Sequence, residues 1–164
     1  MPRTATTRTR TKARTSRSTP NAINLLTEDH AKVKKMFKQF ERMKEKTENA
    51  EKPELVQKIC MEPTVHAQVE EEVSYPAARE AIDEQDLMDE AEVEHASAKE
   101  LIAQLQSMQP GDELYDAKVM VLGEYVDHHV KEEEKQMFPK VRKARLDLEH
   151  LAEQIKERKE QAMQ

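Results

Sequence analysis

Past Pro20 the chain is written in rows of apolar residues three and four positions apart. The first row runs Ile23, Leu26, His30, Val33, Phe37, Phe40, and the second Val56, Ile59, Pro63, His66, Glu70, Val73, Ala77. A third runs Ala91, His95, Ala98, Ile102, Leu105, and a fourth Tyr115, Val119, Leu122, Val126, His129, Glu133, Met137. Alternating steps of three and four keep one stripe on one face of a helix, so the rows predict four long amphipathic helices. The polar segments TENAEKPE (47–54), DEQDLMDE (83–90) and MQPGDE (108–113) carry start and stop residues and divide them. A break near Pro139 precedes a shorter fifth helix from about Asp147, with Leu148, Leu151, Ala152 and Ile155 at helical spacing. Each of the four long rows gives one core slot to a histidine, and two give a further slot to a glutamate.

Composition agrees with an all-α class. Glycine occurs only twice in 164 residues, and the residues that keep side-chain freedom in a helix dominate. The length suits one core. The expected organisation is a disordered basic tail over 1–20, an up-down four-helix bundle over 21–145, and a C-terminal helix over 146–164 that packs on the bundle or extends from it. Residues 1–20 hold six Lys/Arg and no acid, so the net charge of −6 becomes −12 for the remainder. A Thr/Ser-rich, apolar-poor segment cannot offset its ordering entropy. Three readings of this arm stand side by side: a nonspecific polyanion-binding segment, an organellar transit peptide, and a solvated tail without fixed role. The single cysteine, Cys60, excludes an intramolecular disulfide and a thiolate metal cluster, and reads as a small buried apolar residue. No run approaches eighteen apolar residues, and no secretory signal pattern opens the chain, so a soluble cytoplasmic protein without a membrane span is expected.

The chain repeats itself. HAQVEEEVSYPAAR (66–79) and HVKEEEKQMFPKVR (129–142) align with His, two Glu, Pro and Arg in common and an aromatic before each Pro. Residues four apart stack on a helix, so His66 with Glu70, and His129 with Glu133, each aim an imidazole and a carboxylate at one point. Singly, a histidine on an apolar face is most often a hydrogen-bonded core residue, and an acidic run a solvated helix face. Four inward histidines with two carboxylates are different, because even one unpaired buried carboxylate costs about several kcal/mol. Bound cations compensate such a cluster directly. Two hairpins, one with His30 and His66/Glu70 and the other with His95 and His129/Glu133, packed about a pseudo-twofold axis, build two adjacent metal positions bridged by the glutamates. Imidazole and carboxylate suit Fe, Mn, Zn or Cu. Pro63, Pro76 and Pro139 read as kinks or ends of helices, the scattered methionines as packing, and His150 as exposed.

The ordered motifs EDHAKV around His30, HAQVE from His66, EVEHASAKELI around His95 and HHVKEEEKQMFP from His128 resemble the hemerythrin-like, or HHE cation-binding, domains over about residues 22–145. The resemblance implies a four-helix bundle with a non-haem, carboxylate-bridged centre of two Fe ions. It maps the ligands onto His30, His66, Glu70, His95, His129 and Glu133. Oxygen-carrying members have a further histidine where this chain has Ala91. Glu92, Tyr125 or water are candidates for that place, and spacings of five leave His128 with Glu133, or His129 with Glu134, open. The function implied is binding or sensing of O2, NO, peroxide or iron itself. The Ala91 departure points toward an oxidoreductase acting on O2 or peroxide as the alternative, and a metal-free interaction module with a polyanion-binding tail is a third reading.

Overall fold

The computed structural model describes residues 19–45 and 50–164. The basic arm lies outside the described residues except for its last two positions. Among the described residues the secondary structure is helical. Helix α1 spans Ala22–Met43 and is opened by Asn21, whose side chain accepts a hydrogen bond from the Asn24 N–H at 3.0 Å. Helix α2 (Lys52–Val69) passes through a π-helical turn, Glu70–Ser74, straight into α3 (Tyr75–Ala81). Helix α4 covers Gln85–Gln106. Helix α5 (Tyr115–Glu132) repeats the device, continuing through a π turn at Glu133–Met137 into α6 (Phe138–Lys143), and α7 (Leu148–Ala162) closes the chain.

Four rods therefore form the bundle: α1, α2–α3, α4 and α5–α6. α1 packs against α2 and α5, and α4 against the same two, the neighbour pattern of an up-down four-helix bundle. The apolar rows bury as two separate clusters. One joins Phe40, Ile59, Ile102, Val119 and Leu122, and the other Ile23, Val69, Tyr75, Met88, Met137 and Phe138. The histidine slots fall between them along every rod, so a polar layer cuts the core in two.

Three details depart from the sequence rows. α4 begins at Gln85, inside the segment expected to divide helices, because Met88 is fully buried and holds that turn to the core. Beyond Glu70 the buried positions are Ser74, Tyr75 and Ala78 in place of Val73 and Ala77. The π turn holds one residue more than an α turn, which rotates everything after it. Its bonds run from the Tyr75 N–H to the Glu70 carbonyl and from the Phe138 N–H to the Glu133 carbonyl. Pro76 and Pro139 thus end no helix; each sits at the start of the α segment that follows, where its missing N–H costs little. Pro63 likewise lies inside α2, which runs on through it.

α7 lies on α1 and α2 and buries Leu151, Ala152 and Ile155. Asp147 caps it, accepting from the His150 N–H at 3.0 Å. Cys60 is buried, and burial pushes its thiol up to about 11. Among the described residues no helix is long and apolar enough to cross a membrane.

Candidate metal centre

His30 comes from α1, His66 from the end of α2, His95 from α4 and His129 from the end of α5, and Glu70 and Glu133 open the two π turns. These six residues meet in the layer between the apolar clusters. Glu70 and Glu133 are 0% and 1% exposed, so both carboxylates are withdrawn from water. Two overlapping donor sets result: His30, His66, Glu70 and Glu133, and Glu70, His95, His129 and Glu133, the donor atoms of each lying within 4.8 Å of one another. Both glutamates belong to both sets.

The imidazoles are held by a ring of outer carboxylates. His30 Nδ1 lies 3.0 Å from Glu134, His66 Nδ1 3.2 Å from Asp29, and His95 Nδ1 2.9 Å from Glu71, while His129 Nδ1 bonds Glu94. An ionised carboxylate only accepts, so each Nδ1–H donates and each Nε2 turns to the centre. There the Nε2 atoms of His30 and His66 stand 3.0 Å apart, as do those of His95 and His129. Glu70 Oε1 and Glu133 Oε1 are buried against imidazole nitrogens, Glu70 Oε1 2.9 Å from His66 Nε2 and Glu133 Oε1 on His129 Nε2, and Glu133 Oε2 is buried without a hydrogen-bond partner. Imidazole nitrogens and buried carboxylate oxygens converging on one space fit cations there.

The electrostatics carry the same message. Burial alone would push the His66 imidazole down, but Glu70, Asp29 and Glu133 outweigh it and raise it to about 10. His129 is pushed up to about 12 against its own burial, chiefly by Glu133. Burial and the neighbouring Glu70 charge raise the Glu133 carboxyl, while Glu70 is held well below the usual range, against burial, by His66 and the other histidines. Without cations, protons must supply the positive charge.

Tyr75 adds an oxygen that the sequence reading did not assign. Its hydroxyl is 3.2 Å from His95 Nε2, 3.2 Å from His129 Nε2 and 3.3 Å from Glu70 Oε2. Its counterpart in the repeat is Phe138. Tyr75 stacks on His95 at 5.2 Å between centroids, and Phe138 on His30 at 5.8 Å, so the halves match in shape and differ by one hydroxyl. The signal was the aromatic before each proline; the π turn that aims it at the centre is not written in an apolar row.

The remaining candidates lie around this cluster. Ala91 is buried and offers no donor. Glu92 points to the surface and accepts from Arg79 at 2.8 Å. Tyr125 is 45% exposed and lines the outer part of a cavity over the histidines. His128 turns outward, 3.5 Å from Glu94 and 3.3 Å from Glu132. Glu134 bonds the outer nitrogen of His30, opposite the face that His30 turns to the centre. Asp29 and Glu94 carry no mark in the apolar rows, although an acid directly precedes both His30 and His95, and Glu71, in an acidic run that reads as a solvated helix face, turns instead to His95.

The Hemerythrin HHE cation binding domain family matches residues 21–141. A crystal structure of a Hemerythrin HHE cation binding domain-containing protein from Mycobacterium kansasii, an Rv2633c homologue, superposes with a TM-score of 0.73 at 23% identity, covering 87% of each chain. A protein named DNA nickase from Nostoc sp. (strain PCC 7120 / SAG 25.82 / UTEX 2576) is 29% identical over 126 residues, which are 74% of this chain and 34% of that protein. The chain thus spans about a third of the length of that curated relative.

Proposed function

Because this chain belongs to the hemerythrin HHE cation-binding domain family, we propose that its polar layer binds two iron ions, which Glu70 and Glu133 would help to hold from both donor sets, and takes up O2, NO or peroxide. His30 and His66 would hold one ion, and His95 and His129 the other. The observation that carries this reading is the pair of fully buried glutamates, shut off from water and surrounded by four inward imidazole nitrogens, with no lysine or arginine in either donor set. Iron held there would supply exchangeable electrons. The chain's own residues do the rest. The outer carboxylates fix each imidazole, and the two apolar clusters exclude water from above and below. A cavity of about 40 Å³ touches all four histidines and is walled by Val33, Ile102 and Val126, room for a diatomic molecule. A groove of about 260 Å³ between α1 and α5 reaches His30 from outside and offers an entry path.

Purified protein should carry about two irons per chain, and His66→Ala with His129→Ala should abolish them; full iron in that double variant would defeat the assignment. The Tyr75 hydroxyl favours a second reading, an oxidoreductase acting on O2 or peroxide, because a phenol beside the His95/His129 position can donate a proton to a reacting oxygen. A Tyr75→Phe variant makes the two stacked rings alike. It should retain iron and lose peroxide turnover if the second reading holds; a stable ligand-dependent visible spectrum without turnover in the parent protein supports carriage.

A further inference from the structure

The family match ends at residue 141, yet helix α7, Leu148–Ala162, reaches back to the metal centre. Resting on the cation-binding reading above, we infer that α7 is a positioning element for one half of that centre, with Lys159 holding Asp29 and Asp29 holding His66. Leu151 and Ile155 anchor the helix in the same apolar cluster as Ile23, Leu26, Val65 and Val69, from the two rods that carry His30 and His66. From this anchor two cations extend. Arg158 pairs with Glu72, whose Oε1 lies 3.1 Å from Nη2, two residues beyond Glu70 in the same π turn. Lys159 pairs with Asp29, the carboxylate that receives the His66 Nδ1–H at 3.2 Å.

The other half takes its lysine from within the bundle: Lys99 of α4 bonds Glu71 at 2.6 and 2.7 Å, and Glu71 holds His95 Nδ1 at 2.9 Å. In the repeat Glu94 takes the place of Asp29, bonding His129 Nδ1, and its further partner is His128, a surface imidazole of α5 itself. Through Lys159 and Asp29, α7 therefore reaches a histidine of the His30/His66 half, whereas the histidines of the other half are held by carboxylates that α7 does not touch. The Asp29 side chain is only 16% exposed, so it is poorly supplied with water and depends on its two partners for orientation. Without Lys159 the carboxylate is freed to swing toward solvent, and the His66 ring loses the bond that sets its tautomer and its direction. Removal of the outer partner of a metal-bound histidine typically costs about 10–100-fold in metal affinity.

The test is iron release from the loaded full-length protein under a chelator, comparing wild type with Lys159→Met, Lys159→Arg and Lys156→Met. Lys156 is an exposed lysine of the same helix, so its variant controls for lost charge on α7. Lys159→Met should release one of two ions about 10-fold faster, at the low end of that range, and keep the other; Lys159→Arg should restore wild-type release, and Lys156→Met should leave it unchanged. Equal release by the Met variants at 159 and 156, or simultaneous loss of both ions with a lowered melting temperature, overturns the inference. Wild-type protein that takes up no metal sinks the cation-binding reading and this inference together. Two ions in the wild type with no effect at Lys159 sinks only the inference.

Discussion

A histidine sharing a dry layer with two glutamates must either carry a proton or face a cation. In the metal-free protein His66 is raised to about 10 from its ordinary 6.5, which makes it a proton store. A raised folded-state value means that the contribution to stability is complete below about pH 6.5 and is lost as pH climbs toward 10. The metal-free protein should therefore melt at progressively lower temperature across that window, and the loaded protein, in which metal replaces those protons, should change far less. Thermal melts of both forms from pH 6 to 10 decide this; a flat metal-free profile would count against a protonated His66. The same displacement makes metal uptake release protons, so apparent affinity should rise with pH. Neighbouring acids in the run Glu70, Glu71, Glu72 have three separate fates: the core, the back of His95, and Arg158 of α7.

At the scale of the element, the π turns decide where the carboxylates and aromatics point. An α-helical continuation would leave Tyr75 and Phe138 about 100° from their present faces, since each residue of a helix turns by that amount. The packing of α1 on α5 depends on a different local feature. A Cβ added at Gly123 would stand 2.9 Å from Cδ1 of Phe37, closer than side chains tolerate. Gly123→Ala should thus destabilise the bundle by about 1–3 kcal/mol, the usual range for overpacking, and narrow the groove that reaches His30. Denaturant midpoints check it, and Phe37→Leu in the same chain should recover part of the loss. An unchanged midpoint for the single variant would mean that Phe37 moves aside freely.

For the whole molecule, the polar layer separates two apolar clusters that would otherwise form one core, so ligation and folding are linked. A ligand that binds only the folded state adds about 2.7 kcal/mol at a hundredfold excess over its Kd. For a chain of this size that corresponds to a rise in melting temperature of about 5–10 °C. Chelation should lower the melting temperature by that order, and added metal should restore it; melts indifferent to chelator would disconnect the cluster from stability.

Much of this was legible in the chain itself, because burial on a helix has a period and the histidines fell on it. Four rows, a fifth helix, six inward residues and a duplicated His-x-x-x-Glu follow from spacing alone, and so does the need for compensating charge. Spacing within a rod says nothing about which rods touch. The outer carboxylates required α1 to meet α2 and α4 to meet α5, since Asp29 and Glu94 serve histidines on neighbouring helices. The inserted residue of each π turn carries no mark in an apolar row, so Tyr75 reached the centre unannounced. Lys159 lies far along the chain from Asp29 and meets it only because α7 folds back onto α1. Sequence determined which groups are buried; tertiary packing decided which of them face one another, because charge and hydrogen bonding act across space.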